Sequence, residues 1–207
     1  MTCRRRPRMH SQAPTVGRVE MGDRKAKGWS KSSVKKAGSR IRAYQRGDCD
    51  EETYNQALDT VSAYRRSFSP GLTRINMGLR SFLSTLGLTG KVAQRLKREE
   101  TIIEKLSSRE ARLDFSRMRD IGGCRVILGS EHGISDLYRL RDWIVSTWGP
   151  DVQVIDYIEQ PRVSGYRAIH IAPQFDGLVY EVQLRTAIMH QWAQATERYS
   201  SLTGFNY

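Results

Sequence analysis

The hydrophobic positions form three helical stretches and then a region where helices and strands alternate. From Ser32, Val34, Ile41 and Tyr44 stand among Lys35, Lys36, Arg40 and Arg42 in a helical pattern that stops at Gly47. Asp48 to Glu52 supply acids for the positive N-terminal end of a second helix, which runs through Tyr54, Leu58, Val61 and Tyr64. Ser69-Pro-Gly71 breaks it. Leu72, Ile75, Leu79, Phe82, Leu83 and Leu86 then mark a third helix with Gly87 as its stop. Beyond it, Lys91 to Lys97 reads as a strand, Glu99 to Leu106 as a short helix with Ile102, Ile103 and Leu106 inward, and Cys124 to Leu128 as an apolar strand. Ile134, Leu137, Tyr138, Ile144, Val145 and Trp148 trace a helix closed by Gly149-Pro150, and Val152 to Ile158 is the next strand. Ile188, Trp192, Ala195 and Tyr199 trace a final helix. About five strands interleaved with helices predict an α+β domain, a mixed sheet covered by helices.

Two strand-like runs carry polar residues on one face. In Leu178 to Arg185, Tyr180, Val182 and Leu184 share a face, which leaves Glu181, Gln183 and Arg185 on the other. Polar positions in such a row are costly to bury unless something pairs with them. In the run from Tyr157 to Phe175, Tyr166, Ala168 and His170 share a face just after a loop containing Pro161 and Gly165. Alternation alone describes an antiparallel hairpin with one solvated face.

Upstream residues add candidate chemistry. Asp120 leads through Ile121-Gly-Gly123 into a strand, with Arg125 five residues on. Paired with Glu181, Asp120 gives two carboxylates of the kind that hold Mg2+ on a triphosphate. Arg95, Lys97, Arg98 and Lys105 fall within eleven residues, and Lys91, Arg95 and Lys97 alternate along one strand. They are either phosphate ligands or a charged strand edge. A Walker-type phosphate loop is absent, because Thr85 to Lys91 lacks the first glycine and is followed by valine.

Charge is distributed unevenly. Residues 1–46 hold fourteen Lys/Arg against Glu20 and Asp23, whereas residues 47–207 hold twenty of each sign, so the whole net charge of +12 sits in the first part. We divide the chain into a basic leader, 1–46, disordered then helical, and a single domain, 47–207. Such a leader either follows polyphosphate or is a solvated arm. Cys3, Cys49 and Cys124 have no metal or redox spacing, which fits a reducing compartment, with Cys124 a small core residue. No apolar run follows Arg4-Arg-Arg6 as in a secretory signal, and none approaches the ~20 residues of a membrane span. We therefore expect a cytoplasmic protein.

Four segments carry a resemblance: Arg95-Leu-Lys97 to Lys105; Asp120 to Arg125, Asp-Ile-Gly-Gly-x-Arg; Gly165 to His170, Gly-Tyr-Arg-x-x-His; and Glu181 to Thr186, Glu-x-Gln-x-Arg-Thr. In order and approximate spacing, residues 91–198 resemble the synthetase domain of the RelA/SpoT family, with its nucleotidyltransferase-like fold. The resemblance implies an ATP-dependent, Mg2+-requiring pyrophosphokinase that transfers the β,γ-pyrophosphate of ATP to a nucleotide 3′-hydroxyl. It assigns Asp120 to Mg2+, Glu181 to activating the hydroxyl beside the metal, and Tyr166 to stacking on the acceptor base. Arg95, Lys97, Arg98, Lys105 and Arg125 would hold ATP, while His170, Gln183, Arg185, Arg162 and Arg167 would shape the acceptor side. The chain looks like a small single-domain member without hydrolase or regulatory modules. The segment His190 to Arg198 makes it most similar to the toxic small synthetases of toxin-antitoxin and phage-defence systems. That subtype implies the 3′-terminal adenosine of tRNA as acceptor, bound along Lys25, Lys27, Lys31, Lys35, Lys36, Arg40 and Arg42, and an antitoxin protein as partner. GDP or GTP is the alternative acceptor, and a non-catalytic RNA-binding module the rival class.

Overall fold

A computed structural model describes residues 29–109 and 113–204. The disorder expected over 1–30 therefore lies almost wholly outside the described residues, as do Lys25 and Lys27. Three helices open the described chain: α1 (Lys31–Gln45), α2 (Glu51–Arg66) and α3 (Ser69–Thr85). Ser30 and Ser33 cap the start of α1 reciprocally, and the Asp50 carboxylate accepts from the backbone N–H of Thr53 to cap α2. Pro70 falls in the first turn of α3, where a residue without an N–H is tolerated, and α2 has already ended at Arg66.

Then follow β1 (Gly90–Leu96), α4 (Glu99–Glu104) with a π-helical turn Lys105–Arg109, a 3-10 turn Phe115–Arg117, β2 (Gly122–Leu128) and α5 (Ile134–Trp148). The chain ends with β3 (Gln153–Asp156), β4 (Ile169–Ala172), β5 (Gln174–Phe175), β6 (Leu178–Val179), β7 (Glu181–Arg185) and α6 (Ala187–Thr203). Five strands make one mixed sheet in the order β1-β2-β7-β4-β3, in which β2 and β7 are parallel and the other pairs antiparallel. The α+β expectation holds, with β7 at the centre.

One face of this sheet is the core. Val92, Cys124, Val126, Leu128, Ile169, Ile171, Val182 and Leu184 are buried there, in one cluster with Leu72, Ile75 and Leu79 of α3 and Leu137, Leu140 and Ile144 of α5. Cys124 is the small core residue expected, 3% exposed, and burial pushes its thiol up to about 12. The same cluster takes in Val34, Ala37 and Ile41 of α1, so the boundary expected at residue 46 falls between two helices that share a core. Among the described residues, no helix is long and apolar enough to cross a membrane.

Two strand expectations change. The run Leu178 to Arg185 is two elements: β6 pairs with β5 in a small hairpin, and β7 enters the main sheet. The hairpin's turn is Asp176-Gly177, both at positive φ, which suits a two-residue hairpin turn. Tyr180 lies between the two elements, where its N–H donates to the Pro173 carbonyl. The run expected from Tyr157 is strand only from Ile169, and Tyr166 and Ala168 belong to the preceding loop. Ala168 is fully buried, whereas Tyr166 and His170, expected on the same face, line a cleft.

Candidate functional site

Register across the sheet sets the floor of that cleft. Gly123 of β2 is level with Glu181 of β7 and with Arg95 of β1, and the next row holds Ala93, Arg125, Gln183 and His170. These alternate with the core residues, so they project from the opposite face. There they line a cleft of about 900 Å3 with Lys97, Lys105, Asp120, Arg162, Tyr166 and Arg185. The two glycines that open β2 serve packing and access. A Cβ on Gly122 would come within 2.8 Å of Phe68 Cδ1, and one on Gly123 would point toward the Glu181 carbonyl.

At one end stands Asp120. Its Oδ2 accepts from Lys97 Nζ at 3.0 Å and Lys105 Nζ at 3.5 Å, while its buried Oδ1 has no hydrogen-bond partner among the described residues. Burial raises the pKa of this carboxyl, but the two ammonium groups outweigh it and hold the group below the usual carboxylate range. Lys97 lies just past β1 and is positioned from both sides: its N–H donates to the Ile121 carbonyl, and its own carbonyl accepts from Arg65 of α2 at 2.7 Å.

In the centre, Glu181 Oε1 lies 3.0 Å from His170 Nδ1 and Oε2 accepts from Gln183 Nε2 at 3.0 Å. Burial and the nearby Asp120 charge raise this carboxyl's pKa, whereas His170 and Gln183 lower it and prevail. Tyr166 continues the series, with its hydroxyl 2.7 Å from His170 Nε2 and accepting from Arg185 Nη2 at 2.8 Å. These partners assign the His170 proton to Nδ1, donating to Glu181, with Nε2 accepting from the tyrosine. Glu181, His170, Tyr166 and Arg185 are thus joined by hydrogen bonds end to end.

The far end is cationic. Arg185 is only 2% exposed, and its Nε and Nη1 have no partner among the described residues. Gln183 Oε1 accepts from it at 3.0 Å and from Arg125 Nε at 3.4 Å. Burial, then Arg185, depresses the Arg125 pKa, and His190 is lowered by burial and by the same two arginines. The guanidinium groups of Arg185 and Arg162 lie over the Tyr166 ring, 5.0 and 5.4 Å from its centroid.

Of the residues singled out in the sequence, Arg95, Lys97, Lys105, Asp120, Arg125, Arg162, Tyr166, His170, Glu181, Gln183 and Arg185 line this one cleft. Lys91 and Arg98 do not: Arg98 is the N-cap of α4, and Arg167 is exposed with its Nη1 donating to the Gly165 carbonyl. The basic residues of α1 are also elsewhere. Arg42 donates to the Leu113 carbonyl, Lys35 pairs with Asp114, and Lys35, Lys36 and Arg40 border a shallow surface depression. Arg117, Arg119, Thr196, Glu197 and Ser200 also line the cleft, and the sequence reading does not reach them. The α6 members fall at three- and four-residue spacings, a polar facet that reads as ordinary solvated helix surface until the helix is placed.

Asp120 fits a divalent cation: it offers a buried oxygen that no described residue uses. Among the described residues no group of three or more His, Cys, Asp or Glu could hold a metal, so further ligands would come from a bound triphosphate and water.

A family model, the region found in RelA/SpoT proteins, matches residues 94–201. The guanosine-3′,5′-bis(diphosphate) 3′-pyrophosphohydrolase of Vibrio cholerae is 28% identical over 144 residues, 68% of this chain but 19% of that protein. The GTP pyrophosphokinase YwaC of Bacillus subtilis is 29% identical over 48% of this chain and 52% of its own length. This chain thus spans about a fifth of the first relative and half of the second. Its fold is similar to that of small alarmone synthetase 1 from Bacillus subtilis, solved with its product pppGpp, at a TM-score of 0.56 and 21% identity over 68% of this chain and 79% of that one. The family model covers more than half of the sequence and contains the cleft residues from Arg95 to Arg185, and the chain belongs to the RelA/SpoT family.

Proposed function

We propose that this chain is a pyrophosphokinase that transfers the β,γ-pyrophosphate of ATP to the 3′-hydroxyl of a guanine nucleotide, GDP or GTP. The 3′-oxygen bonds to the β-phosphorus, the bond from that phosphorus to the oxygen bridging it to the α-phosphorus breaks, and AMP leaves with the bridging oxygen. The observation that carries this reading is the pair of carboxylates on one floor. Asp120 is held by two lysines with one oxygen unused, and Glu181 is held ionised by His170 and Gln183. Asp120 would hold Mg2+, with Glu181 alongside, and the ion would neutralise charge on the triphosphate. Lys97, Lys105, Arg95 and Arg125 would orient the donor, and Glu181 would take the hydroxyl proton. Such a reaction depends on positioning and on neutralising charge, which a cleft lined by these cations supplies. The guanine acceptor is supported by the GTP pyrophosphokinase and pppGpp-bound relatives.

A second reading has one observation in its favour. Residues 29–46 contain six Lys/Arg and no acid, and Lys31, Lys35, Lys36 and Arg40 are exposed on α1. That surface suits the phosphates of a tRNA acceptor stem, with the terminal adenosine as acceptor. The chain would then block translation and call for an antitoxin protein.

The test is to incubate the protein and Glu181→Ala with γ-labelled ATP and, separately, GDP, GTP, AMP and bulk tRNA. Label should pass to GDP or GTP in the wild type and to nothing in the variant, whose circular dichroism should be unchanged. Preferential labelling of tRNA replaces the first reading by the second. Full transfer by Glu181→Ala removes Glu181 from its role, and no transfer by the wild type leaves the non-catalytic RNA-binding module.

A further inference from the structure

The loop on the acceptor side of the cleft is placed by hydrogen bonds more than by hydrophobic burial. It runs from Tyr157 to Ala168 between β3 and β4, and its Arg162, Ser164 and Tyr166 line the cleft. Val163 is fully exposed and Ile158 only partly buried. Two tight turns hold the backbone. At the tip, the Gly165 N–H donates to the Arg162 carbonyl at 2.8 Å, with Gly165 at φ +76°, and the Arg162 N–H donates to the Tyr166 carbonyl at 3.3 Å. At the root, the Gln160 N–H donates to the Asp156 carbonyl at 3.1 Å. Pro161 joins the turns and its ring fixes φ, so the direction in which the root leaves β3 is passed on to the tip.

One side chain closes the root. Asp156, the last residue of β3, is level with Ile169 of β4, and its side chain is only 15% exposed. Its Oδ1 accepts from the backbone N–H groups of Ile158 at 2.8 Å and Glu159 at 3.1 Å, the arrangement by which an aspartate side chain takes the place of a backbone turn. Its Oδ2 faces α5. Arg141 Nη1 lies 3.5 Å away, and the same guanidinium sits 4.4 Å from the centroid of the Tyr138 ring and pairs with Asp142 at 2.8 Å. The Tyr138 hydroxyl stands beside the same carboxylate, and burial, then Asp156, push it above its ordinary value. Helix α5 is set in the core by Leu137, Leu140 and Ile144, so Asp156 ties the root of the loop to a rigid element.

We infer that Asp156 is a positioning residue for the acceptor: it does not line the cleft itself, and it holds the turn that brings Arg162 and Tyr166 to it. The inference rests on the reading in which Tyr166 receives the acceptor base. The path from Asp156 is short. Tyr157, the next residue, stands edge-on to Tyr166 and His170, with ring centroids 5.8 and 5.0 Å away, and its hydroxyl accepts from Arg162 Nη2 at 2.9 Å. A root turn that opens therefore moves the support behind Arg162, Tyr166 and His170 together. Lys97, Lys105 and Asp120 on the donor side belong to other segments of the chain, between β1 and β2, and stay in place.

A series of variants of the full chain at this one position tests the proposal. In Asp156→Ala the Ile158 and Glu159 N–H groups lose their acceptor. KM for whichever of GDP, GTP or tRNA takes up label should rise about ten- to thirtyfold, the size expected for two backbone hydrogen bonds, with kcat within about twofold. The Kd of a non-hydrolysable ATP analogue should not change. Asp156→Asn keeps an oxygen for both N–H groups and gives up only the charge facing Arg141, so its KM should return to within about threefold of the wild type. Limited trypsin digestion followed by mass spectrometry reads the loop without the reaction: cleavage after Arg162 should be faster in Asp156→Ala than in the wild type or Asp156→Asn. Should Asp156→Ala fail to fold, Asp156→Ser, whose hydroxyl closes such a turn more weakly, takes its place with smaller changes in the same direction. An acceptor KM that does not move, an equal loss for the ATP analogue, an asparagine variant no better than the alanine one, or unchanged cleavage after Arg162 overturns the proposal. A wild type that transfers label to nothing rejects the proposed function instead, and the trypsin series then decides by itself whether Asp156 holds the loop.

Discussion

His170 ties the two halves of the cleft's hydrogen-bond chain together. It is a hydrogen-bond partner of Glu181 through one ring nitrogen and of Tyr166 through the other. Glu181 must be ionised to accept a proton, and its pKa is held low, so the acid limb of kcat/KM should lie below the usual carboxylate range. Replacing His170 by Asn removes the main lowering influence and leaves Gln183 alone to lower the pKa against burial and Asp120, which both raise it. The acid limb should then move to higher pH, and an unmoved limb in a pH-rate profile would show that Glu181 is not the titrating base. Tyr166 separates ring from hydroxyl. Tyr166→Ala should lower kcat/KM for the acceptor by tens of fold, since stacking on a base is worth about 1–3 kcal/mol. Tyr166→Phe keeps the ring and loses its ties to His170 and Arg185, and should cost less. Equal losses in ATP binding in a titration with a non-hydrolysable analogue would move the ring to the donor side.

The β2 strand shows how closely core and site are joined. Its even-numbered residues from Cys124 are buried in the core on the α3 side, and Arg125 faces the cleft, so a shift of this strand moves both. Gly122 is where the strand enters, against Phe68 and Tyr180. Gly122→Ala should destabilise the fold by about 1–3 kcal/mol through overpacking, read as a lower urea midpoint with an unchanged slope. A midpoint equal to the wild type's would mean that Phe68 yields at no cost.

For the molecule as a whole, α1 combines a buried face with a basic one. Val34, Ala37 and Ile41 are buried, and Gly38 is so close to Phe115 that a Cβ would lie 2.9 Å from that side chain's Cβ. The helix thereby braces the turn that leads to Arg117, Met118 and Arg119 on the cleft rim. Its solvent face tests the tRNA reading. Neutralising Lys31, Lys36 and Arg40 together should leave labelling of GDP within about twofold. If tRNA is an acceptor, the same change should weaken its labelling and flatten the salt dependence of binding, by roughly one unit of slope for each phosphate that α1 no longer neutralises. Equal losses for both acceptors would mean that α1 acts through the cleft rim it supports.

Much of the site was legible locally because strand alternation places residues without long-range information. Glu181, Gln183 and Arg185 share a face whatever their partners, and the Asp120 to Arg125 segment announces a strand entered through glycines. The helices were legible from their periodicity and caps. Three matters were decided by tertiary structure. Residues 178–185 became two elements because Asp176-Gly177 closes a separate hairpin, while β7 is drawn between β4, its near neighbour in sequence, and the distant β2. Arg98 and Arg167 were kept out of the cleft by where their backbone turns, a property that residue type does not carry. The apolar positions of α6 look in the sequence like those of any core-facing helix. Periodicity records that a helix has an apolar side and says nothing of what lies against it, so only the folded chain shows that Met189 and Ala193 are the buried positions of α6 while Ile188 and Leu202 are exposed.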